Sequence, residues 1–446
     1  MNIVDIILKK RDGQALTDEE IHYFVDGVKT KTLPDYQISA LLMAIYFSGM
    51  NGHEVASLTR EMALSGDCLS FPALRHPIVD KHSSGGVGDK TTLVIAPVVA
   101  ACGLPIAKLS GRGLGFTGGT IDKLESIPGF RTEISEEEFT QFVSQDGIAI
   151  IGQSADIAPV DKVLYALRDV TGTVDSLPLI AASIMSKKLA DGSDAIVLDV
   201  KFGSGAFMKT PEEAIELAEM MVSIGEENGK KTIALVTDMT QPLGCAVGNA
   251  MEVKEALDTL RGEGPVDFRA ECYALAEAML MAGERAKNEE EAQRLVHDAI
   301  TSGKALAKMK AMVMNQGGDV SYIEDPSLFP KAQYSLAGRA QQDGVVSAIN
   351  AETIGKSSLL LGAGRRRTED RIDPAVGLYV HKKVGDTVKK GEILFTVEAN
   401  DESRGAEAVA LAQSAYTLTT QSVQRAHTPV YAVVRKDGVI RTEKNA

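Results

Sequence analysis

The sequence has few cysteines and no excess of positive charge, and each shortage excludes a class of protein. Its four cysteines (Cys68, Cys102, Cys245 and Cys272) form no C-x-x-C pair, so neither a zinc site nor a disulfide framework is predicted. They are expected to be reduced, partly buried thiols of a cytosolic protein. The formal net charge of −14 argues against a nucleic-acid partner, because nucleic acids are themselves polyanions.

The sequence also lacks a long hydrophobic run. The longest uncharged stretch, residues 91–107, is interrupted by Pro97 and Pro105 and is too short and broken to span a bilayer. No basic region precedes an apolar stretch at the N-terminus, so no signal peptide is expected. These absences predict a soluble, cytoplasmic protein, and its 446 residues are enough for two or three domains.

Two glycine-rich segments are the most informative part of what is present. The first is KHSSGGVGDKTT at residues 81–92, and the second is SGRGLGFTGGTIDKLE at residues 110–125. Glycines let the backbone approach a ligand closely, while hydroxyls and amide N–H groups supply donors. Each segment ends where a helix is predicted to begin, and a helix N-terminus favours an anion. We therefore expect the two segments to form two walls of one phosphate site.

Two better-known nucleotide motifs do not fit these segments. A P-loop requires a glycine before its lysine, whereas Asp89 precedes Lys90 here. Residues 113–118 match G-x-G-x-x-G, but a dinucleotide site would then need a strand that ends in an acid about 20 residues further on. The segment IPGFR at residues 127–131 and a helix start stand there instead. Dinucleotide binding is therefore disfavoured.

The order of predicted elements indicates an α/β protein with a separate helical part. Residues 1–66 are predicted to be helical throughout, with a capping box at residues 17–20. Predicted strands then alternate with helices, which favours a largely parallel sheet with crossover helices. These strands lie near residues 78–79 and at residues 105–109, 148–152, 194–200 and 231–237. Two predicted helices, at 159–170 and 176–190, interrupt the alternation and are expected to pack onto the N-terminal helices.

Three domains are predicted from this order: an all-helical domain, a larger α/β domain with a central, mostly parallel mixed sheet, and a C-terminal α+β module. Their predicted residues are 1–66 with 159–191, 70–158 with 192–331, and 332–446. Residues 376–394 of the last module resemble the hammerhead barrel of biotinyl and lipoyl carriers. The Met-Lys-Met or Asp-Lys-Ala turn that such carriers modify is missing, so a structural role is favoured over a swinging arm.

The helical insert supplies four polar side chains at helical spacing. Tyr165 and Arg168 are three residues apart and Ser183 and Lys187 are four apart, so each pair shares one helix face. Helical cations usually belong to a solvated face, but beside two phosphate segments these residues become candidates to hold a polar, planar substrate. Arg168 offers a rigid fork of donors for a carbonyl or amide edge.

The second glycine segment resembles the signature of the thymidine and pyrimidine-nucleoside phosphorylases, and the resemblance covers essentially the whole chain. It continues through KHS at 81–83, YxxR at 165–168, SxxxK at 183–187, KxGxGAFM at 201–208 and QPLGxAVGN at 241–249. The combination of DKHS at 80–83 with AKLS at 107–110 is closer to the broad bacterial pyrimidine-nucleoside enzymes. A strict thymidine phosphorylase is the alternative.

The resemblance implies an enzyme of nucleoside salvage that catalyses reversible phosphorolysis without an organic cofactor. Inorganic phosphate attacks C1′ of uridine, deoxyuridine or thymidine with inversion, which releases the base and an α-sugar 1-phosphate. Phosphate contacts are implied for Lys81, Ser83, Thr92, Lys108, Ser110 and Thr120. Base contacts are implied for Tyr165, Arg168, Ser183 and Lys187.

The implied catalytic residues are His82, Arg168 and Lys187. Arg168 and Lys187 would stabilise the charge that develops on the departing pyrimidine. His82 is expected to act as the acid at the 2-carbonyl, with its imidazolium form favoured near neutral pH by the adjacent phosphate. The alternative is that His82 only braces the loop. Tyr165 is expected to be a wall of the pocket.

The resemblance also implies a homodimer formed through the helical domain, and closure of the cleft between phosphate and base. In part of the family a potassium ion lies near the first segment, and the matching residues are Gly88, Lys90, Leu243, Ala246 and Glu255. This chain departs from many members at two positions, with Phe116 in place of histidine and Lys90 in place of a small neutral residue. Lys90 is expected either to point away from the ion or to replace it in part.

Two other functions remain as rivals at this point. A phosphoribosyltransferase of similar architecture, such as one that uses anthranilate, needs acids to hold magnesium pyrophosphate, and no paired acids flank the glycine segments. A non-catalytic nucleoside-binding protein would keep Arg168 and Ser183 but would have no need for two phosphate segments.

Overall fold

The computed structural model describes residues 1–72, 74, 77–113, 115–154, 156–367, 369–423 and 428–442. The chain begins with the helices α1 (Ile3–Arg11), α2 (Asp18–Lys29), α3 (Asp35–Ser48) and α4 (Gly52–Ala63). The predicted capping box is present on α2: the Thr17 hydroxyl accepts from the N–H of Glu20, and the Glu20 carboxylate accepts from the N–H of Thr17. This exchange satisfies donors that a helix start leaves unpaired.

The α/β part opens with two strand–loop–helix units. Its first elements are β1 (Val79–Ser83), α5 (Thr91–Ala101), β2 (Ile106–Ser110), α6 (Thr120–Leu124), α7 (Glu136–Asp146) and β3 (Ile148–Gly152). One glycine segment connects β1 to α5, and the other connects β2 to α6. Strands β2 and β3 form a parallel pair, so the carboxyl ends of both strands face the same side.

Two helices return to the N-terminal helices, as the sequence predicts. They are α8 (Pro159–Thr171) and α9 (Leu177–Ala190). Helix α8 packs on α2 and α3, and α9 packs on α4. Pro178 lies in the first turn of α9, where its missing N–H costs nothing. The boundaries of the helical domain stay a prediction.

The central sheet forms where the chain resumes its alternation. The next elements are β4 (Ala195–Phe202), α10 (Pro211–Glu227), β5 (Lys231–Asp238), β6 (Ala246–Val247), α11 (Asn249–Leu260), α12 (Val266–Ala282), α13 (Glu289–Thr301), α14 (Lys304–Asn315) and α15 (Ser321–Glu324). Strand β4 pairs in parallel with both β1 and β5. All eight residues of β4 are buried, because helices cover both faces of the sheet.

The C-terminal part forms two small antiparallel sheets and two helices. Its elements are β7 (Tyr334–Arg339), β8 (Gly344–Ile349), α16 (Ala351–Leu361), β9 (Gly377–Val380), β10 (Thr387–Val388), β11 (Ile393–Ala399), α17 (Glu402–Ser414), β12 (Tyr416–Thr419), β13 (Val430–Arg435) and β14 (Gly438–Arg441). The strand orders of the small sheets are β10-β8-β12 and β6-β9-β11-β7.

The structure differs here from the predicted module of residues 332–446. Strand β13 pairs antiparallel with β5, so the central sheet has the order β1-β4-β5-β13-β14. In return, β6 from the α/β part pairs with β9. The reason is that β5 would otherwise present an unpaired edge, which antiparallel addition of β13 covers. Residues 424–427 and 443–446 of the predicted module lie outside the described residues.

The two faces of the central sheet belong to different apolar cores. On β4, Val197 packs into the core that contains α5 and α12, whereas Ile196 and Leu198 pack into the core shared with the helical part. This alternation follows from the two-residue repeat of a strand. None of the helices formed by the described residues is long and apolar enough to cross a membrane.

Candidate active site

The two glycine segments lie side by side at the carboxyl ends of β1 and β2, where ligands of parallel sheets commonly bind. Lys123 of α6 joins them, because its Nζ donates to the backbone carbonyl of Asp89 at 2.5 Å. The same Nζ lies 2.9 Å from Oε2 of Glu252. The structure thus brings the two predicted walls together, and their binding of phosphate stays a prediction.

Lys81 lies in a buried cluster of charges below the first segment. Its Nζ is 2.9 Å from Oδ2 of Asp199 and donates to Oγ1 of Thr91 at 2.6 Å. Lys201 Nζ lies 3.1 Å from the other Asp199 oxygen and 2.6 Å from Oε1 of Glu271. Burial raises the pKa of Glu271 to about 8 although Lys201 opposes the shift. The implied contact of Lys81 with phosphate therefore competes with an existing ion pair.

Asp89 organises the first segment, a role that its sequence position did not reveal. Its carboxylate accepts from the hydroxyls of Ser83 at 2.5 Å and Thr91 at 2.7 Å. Burial would raise the pKa of Asp89, but the surrounding ammonium groups, Lys81 first among them, hold it well below its usual range. Thr92, another implied phosphate ligand, follows Thr91 in the first turn of α5.

Lys108 of the second wall shares its counter-ion with a second lysine. Its Nζ is 3.2 Å from Oδ1 of Asp80, and Lys188 Nζ is 2.6 Å from Oδ2 of the same carboxylate. Burial lowers the pKa of Lys108 to about 8, because Asp80 compensates only in part and Lys188 repels the charge. A buried ammonium group that is only partly compensated is stabilised when an anion binds beside it.

Asp122 fixes the second glycine segment. It accepts from the N–H of Gly113 at 2.7 Å and from Nη1 of Arg365 at 2.7 Å. Arg365 comes from the loop after α16, so the C-terminal part supports this wall. Ser110 and Thr120, the two implied phosphate ligands here, stand at the ends of the segment, in β2 and at the start of α6.

Phe116 packs against the C-terminal part. A methyl group in place of hydrogen at Gly355 of α16 would lie 2.8 Å from the carbonyl oxygen of Phe116 and 3.0 Å from its ring. The backbone of Phe116 therefore approaches α16 so closely that a side chain at position 355 would clash with it, and glycine fits there.

A cavity of about 140 Å³ lies between β1, α8 and α9. It brings together four residues implied by the family resemblance: His82, Tyr165, Arg168 and Ser183. The sequence analysis missed the remaining lining residues, which are Ser84, Val174, Ile180, Ile184, Phe207 and Leu217. The signal existed for four of them: Ser84 belongs to the first glycine segment, Ile180 and Ile184 lie beside Ser183 on α9, and Phe207 belongs to the segment 201–208.

The charges that this protein's own residues supply disfavour the imidazolium form of His82. Burial lowers the pKa of His82 well below its usual range, and the ammonium groups of Lys188 and Lys108 lower it further. Asp80 acts in the opposite direction but does not compensate. The neutral imidazole is therefore favoured in the protein without phosphate, and the imidazolium form beside bound phosphate stays a prediction.

Arg168 holds the connection between α8 and α9. Its guanidinium donates to the backbone carbonyls of Thr173 at 3.2 Å, Val174 at 2.7 Å and Leu179 at 2.9 Å. Three of the five N–H groups of the fork are used in this way, and the guanidinium carbon lies 5.8 Å from the centre of the Tyr165 ring. Arg168 thus shapes the cavity as well as lining it.

Lys187 is implied as a base contact, yet it is not among the residues that line the cavity. Its Nζ lies 2.5 Å from Oδ2 of Asp161 on α8 and donates to the carbonyl of Ser183 at 2.9 Å. Its side chain is 25% exposed. The ammonium therefore stands beside the cavity, tethered to a carboxylate that the sequence analysis did not single out.

The residues of the implied potassium site surround the ammonium group of Lys90. Its Nζ donates to the carbonyls of Leu243 at 2.8 Å and Ala246 at 3.1 Å, and lies 2.5 Å from Oε1 of Glu255. The backbone N–H of Lys90 donates to the carbonyl of Gly88 at 3.0 Å. A potassium ion does not fit among these residues, because the ammonium group of Lys90 already contacts the oxygens that would coordinate the ion. The expectation that Lys90 points away is wrong.

Comparison with known proteins extends over all three parts of the chain. Residues 4–66 match the profile of the glycosyl transferase family helical bundle domain, and residues 75–306 match the a/b domain of the same family. Residues 345–419 match the pyrimidine nucleoside phosphorylase C-terminal domain. The three matches follow one another in the order of the observed helical, α/β and C-terminal parts.

Curated proteins that are similar to this chain include two bacterial enzymes of the same name. Pyrimidine-nucleoside phosphorylase of Staphylococcus haemolyticus is 56% identical over 403 residues, which are 90% of this chain and 93% of that protein. The enzyme of that name from Geobacillus stearothermophilus is 55% identical, also over 90% of this chain and 93% of its own length. The chain therefore belongs to the glycosyl transferase family, and within it to the pyrimidine-nucleoside phosphorylases.

A solved structure shares the fold at low identity. Anthranilate phosphoribosyltransferase from Thermus thermophilus has a TM-score of 0.57 and 20% sequence identity. The match covers 70% of this chain and 98% of that one. The likeness concerns the architecture alone.

Proposed function

We propose that this enzyme catalyses the reversible phosphorolysis of uridine, deoxyuridine and thymidine by inorganic phosphate. The products would be the free pyrimidine base and α-D-ribose or deoxyribose 1-phosphate. The observation that carries the proposal is the position of His82, which follows Lys81 and precedes Ser83 on β1 and also lines the cavity with Arg168 and Ser183. The side chain of His82 thus lies between the predicted phosphate site and the predicted base site.

Phosphate would bind between the two glycine segments, in contact with Ser83, Thr92, Lys108, Ser110 and Thr120. The neighbourhood is rich in buried ammonium groups, and a dianion would compensate Lys108, whose pKa burial lowers to about 8. Lys81 would contribute its charge from within the ion pair with Asp199. The second wall would keep its shape through Asp122.

The pyrimidine would occupy the cavity, with Tyr165 as a wall. Arg168 and Ser183 would contact the base edge, and Arg168 together with Lys187 would stabilise negative charge on the departing base. His82 would donate a proton or a hydrogen bond at the 2-carbonyl. A bound phosphate dianion beside His82 would raise its pKa, since it opposes the effect of the two lysines.

The proposal includes closure of the cleft, because the implied phosphate residues lie on β1, α5, β2 and α6 while the implied base residues lie on α8 and α9. Motions of this kind exclude water and complete a site. Small-angle scattering with and without phosphate plus a nucleoside analogue tests it. A smaller radius of gyration with both ligands is expected, and an unchanged curve would contradict closure.

The proposal also includes a homodimer formed through the helical part. Large apolar side chains are exposed there, among them Tyr36 at 74% and Phe47 at 79% on α3, and exposed apolar patches mark interaction surfaces. Multi-angle light scattering should give twice the mass of one chain. Phe47→Glu should shift the protein toward monomer, and a monomeric unmodified protein would contradict the proposal.

The decisive experiment measures free base released from uridine and from thymidine, each with and without phosphate. Release that requires phosphate is expected, and the ratio of the two rates separates a broad enzyme from the alternative, a strict thymidine phosphorylase. Release without phosphate would indicate a hydrolase. The other alternative, an anthranilate-type phosphoribosyltransferase, predicts consumption of anthranilate with phosphoribosyl pyrophosphate and no base release.

A further inference from the structure

A buried ammonium group connects the first glycine segment to the turn that precedes α11. Lys90 is 1% exposed, and its three N–H donors meet the carbonyls of Leu243 and Ala246 and the carboxylate of Glu255. A lysine ammonium has three donors and no acceptor, so this arrangement satisfies it. The ring of Phe268, 4.8 Å from Nζ, covers the group further.

The ammonium is charged and its carboxylate is fixed. Nζ of Lys90 lies 2.5 Å from Oε1 of Glu255, a separation typical of an ammonium group paired with a carboxylate. Glu255 Oε2 also accepts from the backbone N–H groups of Cys245 at 3.0 Å and Ala246 at 2.9 Å. The partner therefore cannot swing away from Nζ without losing backbone hydrogen bonds.

The residues around Nζ of Lys90 are packed too closely for a potassium ion to bind beside the ammonium group. A Cβ at Gly244 would lie 2.8 Å from Nζ of Lys90 and 2.2 Å from Oε1 of Glu255. Gly88 has φ +76°, and a Cβ there would lie 2.6 Å from the carbonyl oxygen of Leu243. Both glycines allow two stretches of backbone to approach one ammonium group.

The same turn receives a second ammonium group from its outer side. Lys383, between β9 and β10, donates to the carbonyls of Pro242 and Gly244 and lies 2.8 Å from Oδ2 of Asp267. Four carbonyls of this turn therefore accept from an ammonium group: those of Pro242 and Gly244 from Lys383, and those of Leu243 and Ala246 from Lys90.

We propose that Lys90 is a built-in monovalent cation, which takes the place of a potassium ion and holds the first glycine segment in position. Lys90 is the residue before α5, directly ahead of Thr91 and Thr92. The backbone supports the link, because the N–H of Leu243 donates to the carbonyl of Val87 at 3.0 Å. Lys90 is a positioning residue, and this protein needs no potassium.

The test compares thermal unfolding in potassium chloride with unfolding in tetramethylammonium chloride at the same ionic strength. Lys90→Thr removes the ammonium and opens space, Lys90→Met removes the charge and keeps the bulk, and Lys383→Thr is the matched control on the outer side of the turn. The unmodified protein is expected to melt within about 1 °C of the same temperature in both salts.

Lys90→Thr is expected to melt at a lower temperature in tetramethylammonium chloride and to regain at least about 2 °C, saturably, as potassium rises. Lys90→Met and Lys383→Thr should show no saturable gain. A saturable potassium response of the unmodified protein would overturn the proposal, whether or not Lys90→Thr folds. A folded Lys90→Thr protein that potassium does not stabilise would also overturn it.

A second measurement rests on the proposed function. The KM for phosphate of the unmodified protein should be the same in both salts, whereas Lys90→Thr should show a rise of at least about tenfold in tetramethylammonium chloride that potassium reverses. If the proposed function is wrong, no base is released in any salt. The unfolding temperatures still decide the role of Lys90 in that case, so the two failures are distinguishable.

Discussion

Nζ of Lys81 on β1 lies 2.9 Å from Oδ2 of Asp199 on the neighbouring parallel strand β4. The same carboxylate lies 3.1 Å from Nζ of Lys201, so one buried anion compensates two buried cations. The charge below the predicted phosphate site is therefore set by Asp199 as much as by Lys81. Removal of the Asp199 carboxylate should therefore change the free energy of unfolding.

Asp199→Asn should lower the free energy of unfolding by about 3–5 kcal/mol, because it leaves two buried ammonium groups without their shared partner. Denaturant titration followed by circular dichroism measures the change. Asp169→Asn, at an exposed position on α8, is the control and should change stability by no more than about 0.5 kcal/mol. Equal stability of both variants would contradict the assigned role of Asp199.

His82→Asn should reduce kcat for uridine phosphorolysis by about 10²- to 10⁴-fold, the usual contribution of a general acid. Steady-state kinetics with both substrates varied measures it. A rise of the KM for phosphate with an unchanged kcat would show that His82 only braces the first segment.

Lys187→Ala should reduce kcat by at least about 10²-fold, the scale of losing one oriented group that stabilises developing charge. To stabilise that charge, Nζ of Lys187 must move away from Oδ2 of Asp161, which lies 2.5 Å from it in the structure. Lys162→Ala, an exposed lysine on the neighbouring helix α8, is the matched control. A Lys187→Ala enzyme as active as the control would remove Lys187 from the mechanism.

The value of kcat/KM for phosphate should fall above pH 8. Burial lowers the pKa of Lys108 to about 8, so raising the pH through that value removes a positive charge from the second wall. Inorganic phosphate is already a dianion there, and the fall therefore reports the enzyme. Lys108→Arg should remove the fall, since guanidinium stays charged. A fall of the same midpoint in Lys108→Arg would assign the titration to another group.

Arg365→Ala should raise the KM for phosphate by roughly tenfold, because Asp122 would lose the charged hydrogen bond that helps to hold the second segment. The pattern expected of a positioning residue is a larger change in KM than in kcat. Arg366→Ala, at the adjacent exposed position, should behave like the unmodified enzyme. Equal kinetics of the two variants would contradict this role.

The sequence was sufficient to predict the strands whose own residues show a strand pattern. The predicted strand at residues 148–152 coincides with Ile148–Gly152, and the other predicted parallel strands begin within one residue of those observed. Apart from β1, whose residues after Val79 are polar, each is a short and largely apolar run bounded by glycine or a polar turn. The pairing of β13 with β5 carries no such local signal, because it depends on two segments that are far apart in the chain.

The candidate site was predictable in its residues but not in its charge balance. The family resemblance implied His82, Tyr165, Arg168 and Ser183, which the structure brings to one cavity. The positions of buried ammonium groups depend on carboxylates supplied by distant elements, as Asp80 of β1 shows for Lys188 of α9. The effect of Lys188 and Lys108 on the pKa of His82 could therefore not be deduced from the sequence. The assigned functions of these residues stay predictions.

The exchange of strands between the α/β and C-terminal parts limits how this chain can be engineered. A gene truncated before β7 would leave β5 with a bare edge, which is a template for aggregation, and would leave β6 without β9. Chimeras with relatives must therefore inherit both halves of each pairing from compatible parents. The C-terminal part of this chain therefore cannot be exchanged by itself without loss of these two strand pairings.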